Sequence, residues 1–297
     1  MSNLKALKVR IKSVKSTQKM TKAMKMVAAS RLKKAKHLVE SSRPYADKIE
    51  EMISSLASNI IMRNNLSEKF PLLTGKGKNN SHLVIVFSSD RGLCGGLNSS
   101  TVKMTKTHIF DLERSGKKVK LFCVGKKAYE QLKFLHKDKV IDSEFGVFKG
   151  EITYEIAENL AQKLIKLFDE NQFDVCEVIY SKFKSAIVQE QICKQIIPAK
   201  IDAAQLPESE SYESPTSYEP SQEDVLSDLL PKNLAMQIYN EMLENSASEQ
   251  GARMAAMESA SNNAGKMIKN LTLVYNRTRQ ANITKELIDI ISGANSV

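Results

Sequence analysis

Tryptophan is absent from the 297 residues, and only 6% of them are aromatic. Glycine and proline together make about 6% of the chain, half the usual share, so turns are few and long regular elements are expected. Apolar runs such as Leu83 to Phe87 fall far short of the ~18–20 residues of a membrane-spanning helix. The four cysteines, at 94, 123, 176 and 193, form no CxxC pair, and each lies in or beside an apolar run. That pattern excludes a disulfide miniprotein, reads as a reduced intracellular chain and gives no sign of thiolate metal binding. His37, His82, His108 and His136 are widely separated, with no HExxH spacing, and no GxSxG elbow is present, so no metal centre, cofactor site or catalytic residue of the chain's own is signalled.

What is present is unevenly placed. Net charge is +10, yet Met1 to Lys48 holds fourteen Lys or Arg against Glu40 and Asp47 only, and the rest of the chain is slightly acidic. From Ala203 to Pro231 there are seven acids and no base. The first 39 residues contain no acid, a composition shared with mitochondrial targeting peptides. Against that reading, Lys far outnumbers Arg and the apolar spacing runs on without a break. A helix held against an acidic surface fits better.

Alternate steps of three and four from Leu4 land on Leu7, Ile11, Val14, Gln18, Thr21, Lys25, Ala28, Leu32, Ala35, Val39, Ser42, Ala46, Ile49, Ile53, Leu56 and Ile60, a seam of about eight heptads. The seam turns polar between Gln18 and Lys25, where no single partner helix is expected to satisfy it. Pro44 predicts a local kink rather than an end. Pro231 is placed in the first turn of a second long helix, whose seam is read through Ala235, Ile238, Met242, Asn245, Glu249, Ala252, Ala256, Ala260, Asn263, Met267, Leu271, Val274, Thr278, Ala281, Ile288 and Ile291. The alanines at 252, 255, 256, 260 and 264 permit close helix approach. The two ends of the chain are expected to wind on one another.

Between them the period changes. Leu83–Phe87, Val119–Val124, Phe173–Tyr180 and Ile187–Ile197 read as strands, and 99–114, 126–136 and 153–168 as helices. The alternation predicts a small α/β domain with a largely parallel sheet and an antiparallel edge strand at 187–197. Four segments follow: an N-terminal coiled-coil helix at 1–62, a small α/β domain at 80–200, an acidic linker loop at 201–230 whose Tyr212 and Tyr218 are suited to docking, and a C-terminal coiled-coil helix at 231–297.

Asp90-Arg91-Gly92-Leu93-Cys94-Gly95-Gly96-Leu97-Asn98 sits between a strand and a helix, where phosphate-binding loops occur. It fits neither GxGxxG nor GxxxxGK[ST]. It is read as a tight turn in which Asp90 or Asn98 caps a helix, with Cys94 a small buried residue. Two roles could use two long helices with a basic face: a nucleic-acid-binding coiled coil, whose binding would be salt-sensitive, and a mechanical or interaction subunit inside a protein collar. Aromatics that stack on single-stranded bases are missing before Tyr45, which favours the second.

Three stretches carry a resemblance. They are Ile283-Thr284-Lys285-Glu286-Leu287-Ile288-Asp289-Ile290-Ile291-Ser292-Gly293-Ala294-Asn295-Ser296, the run from Ser16 to Ser30, and the Asp90 to Asn98 turn. Through these matches at both ends and in the middle, in the family's order, the sequence resembles the γ subunit family of F-type ATP synthases. The resemblance implies an antiparallel coiled coil of the two termini plus a Rossmann-like α/β domain. It also implies a rotor role, with the α and β subunits of a hexamer around the helices, the ε subunit and the membrane c-ring at the globular part, no nucleic acid, and no cofactor on this chain. The β subunits would hold the nucleotide and Mg²⁺. Carried over residue by residue, Arg279 and Gln280 match the pair that hydrogen-bonds a β-subunit loop. Met24 matches the residue facing the acidic β lever, and Lys22 and Lys25 match basic partners of acidic β loops. Gly95 and Gly96 are structural by the same comparison. The plastid form's closely spaced regulatory cysteines have no counterpart, and the acidic 203–224 segment looks longer than the usual connector. The expected setting is the cytoplasmic face of a bacterial inner membrane, bound peripherally through the complex.

Overall fold

The computed structural model describes residues 2–61, 69–199 and 221–294. The acidic segment with Tyr212 and Tyr218 lies outside them, apart from its last few residues. The chain falls into two compact units, Met1–Ser30 with Arg253–Val297, and Arg31–Ala252. The boundary crosses both long helices, α1 (Ser2–Ile61) and α6 (Gln222–Ala294).

Within the second unit, β1 (Ser81–Phe87), β2 (Lys118–Val124), β3 (Val140–Glu144), β4 (Val175–Phe183) and β5 (Gln189–Ile197) form one sheet in the order β3-β2-β1-β4-β5. The first four are parallel, and β5 closes the edge antiparallel to β4. Both faces of the sheet are covered, which is why the central strands read as unbroken apolar runs. Leu83, Ile85 and Phe87 meet Leu160, Leu164 and Phe168 of α5 (Tyr154–Asp169) and Leu234, Ile238 and Met242 of α6. On the other face Val84 and Val86 meet Val102 and Ile109 of α3 (Leu97–Arg114) and Ala128 and Leu132 of α4 (Lys126–Leu132). A third cluster joins Ile49, Ile53 and Leu56 of α1 to Leu226 and Leu230 of α6 and to Leu73 of the short α2 (Pro71–Thr74). Strand β3 escaped the sequence reading because Val140 and Ile141 are its only apolar residues.

Pro231 does not open the second long helix. It lies inside α6, which starts at Gln222, where the Ser221 hydroxyl accepts the Asp224 N–H at 3.1 Å as an N-cap. The helix begins nine residues early because Leu226 and Leu230 have a core to enter on the far side of the proline. The α1 seam holds in both units: from Leu4 to Leu56 its positions are the half-buried or buried ones. The α6 seam holds to Ala260, and after it only Leu271 and Thr278 of the expected positions stay half-buried. Met257, Ser261, Ala264, Ile268, Leu271, Tyr275, Thr278 and Asn282 turn inward, and Asn263, Met267, Val274 and Ala281 turn to solvent. Small and polar residues across 253–263 leave the hydrophobic phase undetermined in sequence. Packing fixes it at Gly265, where an added Cβ would come 3.0 Å from Gln18 Nε2.

In the unit of residues 1–30 and 253–297, Gln18 Nε2 donates to the Ser261 carbonyl at 3.4 Å, and Lys25 Nζ pairs with Glu258 Oε1 at 2.5 Å. As one index rises the other falls, so the two segments run antiparallel. The polar gap in the seam is therefore answered by α6 itself, contrary to the expectation that one helix could not satisfy it. The Lys25–Glu258 pair is half-exposed and worth under about 1 kcal/mol.

One backbone position is unforgiving. Gly125, between β2 and α4, has φ +104°, and a Cβ there would lie 2.0 Å from the Ser88 carbonyl oxygen. Gly125→Ala is expected to cost about 3 kcal/mol or more, read as a fall in the urea unfolding midpoint of the purified chain.

Candidate functional site

The turn after β1 stands where an α/β sheet offers its ligand crevice, outside the carboxyl ends of the strands. Here that place is filled from within. The Asp90 carboxylate, 6% exposed, accepts the backbone N–H groups of Lys126 (3.3 Å), Gly146 (2.9 Å) and Phe148 (3.0 Å). One side chain thus ties together the segments following β1, β2 and β3, and it takes the N–H donors that a phosphate would seek. Asn98 caps no helix: α3 starts after Gly96 without a side-chain cap. The Asn98 amide instead closes the turn, accepting Ser89 N–H at 3.1 Å and donating to Ser89 Oγ at 2.7 Å. Cys94 is buried against Leu97 and Ala252 of α6.

Helix α6 seals the rest. Strand β4 pairs with β1 only as far as Ile179, leaving later backbone groups without a strand on that side. Side chains of α6 replace it: Ser181 N–H donates to Asn245 Oδ1 (3.3 Å), Ser248 Oγ donates to the Ser181 carbonyl (2.7 Å), and Phe183 N–H donates to Glu244 Oε2 (3.0 Å). One turn earlier Glu241 is 3% exposed, with Lys194 Nζ 3.2 Å from Oε1 but not aligned as a hydrogen bond. Burial pushes its carboxyl up to about 7, against the pull of Lys194.

The expected contact residues belong to the other unit. Lys22 is exposed, Met24 half-buried and Lys25 engaged with Glu258, while Arg279 and Gln280 are exposed on α6. The structure does not bring these two groups together: Lys25 lies opposite Glu258, about 30 Å along the helix axis from Arg279. Among the described residues, Asn282 is the last half-buried position of α6. Ile283, Leu287, Ile288, Ile290 and Ile291 are 49–68% exposed. Ile288 and Ile291, read from sequence as seam residues, therefore face no α1 partner. The basic residues before Ser30, of which only Lys25 is ion-paired among those described, together with an apolar helix end make a surface suited to other polypeptides rather than to a small substrate.

The family model for ATP synthase matches residues 3–297. The chain belongs to the ATP synthase gamma chain family. It is 48% identical over 297 residues to the gamma chain of Pelagibacter ubique and 46% identical over 302 residues to that of Rhodospirillum rubrum, in both cases across the full length of both proteins. Among solved structures, the central stalk of Tetrahymena thermophila mitochondrial ATP synthase matches at TM-score 0.62 and 26% identity, over 82% of this chain and 99% of that one. A chain of the Euglena gracilis mitochondrial enzyme shares the fold at TM-score 0.68 and 17% identity, over 99% of this chain and 94% of that one. No helix among the described residues is long and apolar enough to cross a membrane.

A second cluster was invisible in sequence. His82, His108, Glu177 and Cys193 come from β1, α3, β4 and β5 and meet at one edge of the sheet. The Cys193 sulfur and the Glu177 carboxylate beside His108 push its imidazole up to about 10. Burial alone would raise Glu177, but hydrogen bonds from His108 and His82 bring it down to about 2.

Two outcomes test this account of the sealed crevice. Asp90→Ala strands three backbone donors and is expected to lower stability by about 3 kcal/mol, measured by urea unfolding. For Glu241 the folded value near 7 exceeds the reference 4.5. Stability tied to its proton is complete below pH 4.5 and is lost as pH rises through 7, on the order of 3 kcal/mol in all. Glu241→Gln is expected to remove that part of the slope and to unfold at higher denaturant than the parent at about pH 8, with little difference at about pH 4.5.

Proposed function

We propose that the chain is the central rotor shaft of an F-type ATP synthase. It couples proton-driven c-ring rotation to conformational changes at the β-subunit catalytic sites, for ATP synthesis from ADP and phosphate and, in reverse, for hydrolysis. The observation that carries this reading is the end of α6, where five large aliphatic residues stand exposed past its last half-buried position. Such a surface needs an apolar collar, and the α and β subunits supply it. Membership of the gamma chain family and the likeness to a central stalk support the same reading. Lys22 and Lys25 suit the acidic loops of the β subunits, Met24 suits their acidic lever, and the α/β unit is the part that meets ε and the c-ring.

On this reading the chain does no chemistry of its own. Rotation changes the affinity of a β site only as far as the shaft's contacts differ between its orientations. Two helices give the shaft unlike faces, so three identical β subunits meet different surfaces at any instant. The bacterial relatives favour a peripheral position on the cytoplasmic face of a bacterial inner membrane.

Arg279 and Gln280 are proposed to hydrogen-bond a β-subunit loop. The double variant Arg279→Ala with Gln280→Ala is expected to lower ATP synthesis and hydrolysis by the reconstituted complex roughly ten-fold. The isolated chain should unfold as before, because both side chains are exposed. Full activity in the variant complex would refute the assignment.

A further inference from the structure

We propose that His108, Glu177 and Cys193 form a binding site for a thiophilic divalent cation of the zinc class. It does not depend on the rotor reading. The ligating atoms of the three residues lie within 4.8 Å of one another. His108 Nε2 is 2.8 Å from Glu177 Oε2 and 3.6 Å from Cys193 Sγ, so a single nitrogen faces both.

Tetrahedral zinc sets the distances its ligands keep from each other. With Zn–S about 2.3 Å and Zn–N about 2.0 Å, a sulfur and a nitrogen on the same ion stand about 3.5 Å apart. The observed sulfur–nitrogen separation already agrees. A nitrogen and an oxygen would stand about 3.3 Å apart, so His108 and Glu177 need to open by about half an ångström, the difference between a hydrogen bond and a shared ion.

The supporting shell is in place. Glu177 and Cys193 belong to paired strands, with Ile179 opposite Cys193 in register, and His108 comes from the helix packed over them. His82 Nδ1 lies 3.1 Å from the same Glu177 oxygen, and its Nε2 lies 2.7 Å from Asn79 Oδ1. The Asn79 contact orients the ring, and the ring orients the carboxylate, as outer partners do in metal sites. The side chains of His108 and Glu177 are 22% and 15% exposed, which gives an ion an entry path and leaves a fourth position for water. One sulfur, one imidazole and one carboxylate favour zinc over magnesium or calcium, which prefer oxygen throughout. Binding would clamp α3 to the β4–β5 edge and stabilise the α/β unit by mass action.

Cobalt(II) titrated into the full-length chain after chelator treatment tests the site. The expected result is one equivalent bound, with a thiolate-to-cobalt charge-transfer band in the near ultraviolet. Cys193→Ser should lose that band, His108→Ala should bind at least ten-fold more weakly, and Cys94→Ser should behave as the parent. Absence of the band in the parent, its survival in Cys193→Ser, or undiminished affinity in His108→Ala would overturn the proposal. If a variant does not fold, X-ray absorption of the zinc-loaded parent decides. One sulfur among nitrogen and oxygen neighbours supports the site, and a shell without sulfur refutes it.

Discussion

A backbone N–H or C=O taken out of water must find a partner, and the α/β unit depends on how this is met at the carboxyl edge of its sheet. Strand β4 outruns β1, and the groups it leaves at Ser181 and Phe183 are answered by Asn245, Ser248 and Glu244 of α6. The loops beyond β1, β2 and β3 are answered by Asp90. With those partners the crevice that other doubly wound sheets open to nucleotides becomes the place where a long helix is anchored. A fold associated with ligand binding is here turned to holding a helix, and function lies in the surfaces rather than in the fold class.

The helix pair of residues 1–30 and 253–297 meets a different demand. Its seam carries glutamine, threonine, lysine, serine and glycine where a simple coiled coil has leucine. Small residues at Ala264 and Gly265 let Gln18 approach, and Glu258 meets Lys25. Such contacts add little energy, but they fix which residues face one another. A helix pair that presents distinct faces to its surroundings needs a defined register more than it needs strength. Beyond Asn282 the pairing ends, and apolar residues face outward.

The element types were legible where periodicity was strong. Leu83 to Phe87, the α5 pattern and the α1 seam from Leu4 to Leu56 stand where spacing put them, and the antiparallel edge strand followed from its position after β4. Strand β3 was missed because two apolar residues make no pattern. The start of α6 was misplaced because a proline is a plausible first-turn residue, and only the core around Leu226 and Leu230 reveals the earlier start. After Ala260 the α6 seam failed at Asn263, Met267, Val274 and Ala281, because alanine, serine and asparagine carry almost no hydrophobic signal to fix its phase.

By itself the sequence determined the two long helices, the parallel α/β unit between them and the family, since periodicity and contiguous motifs are local properties of a chain. Tertiary structure alone decided what meets what. It gave Asp90 the first N–H of α4 together with those of Gly146 and Phe148, made Asn98 a latch of its own turn rather than a cap, set Asn245 and Ser248 on a strand edge 64 and 67 residues away, and gathered His82, His108, Glu177 and Cys193 from four elements. Those contacts arise from the order and twist of strands in a sheet, and no spacing along the chain records which strands become neighbours.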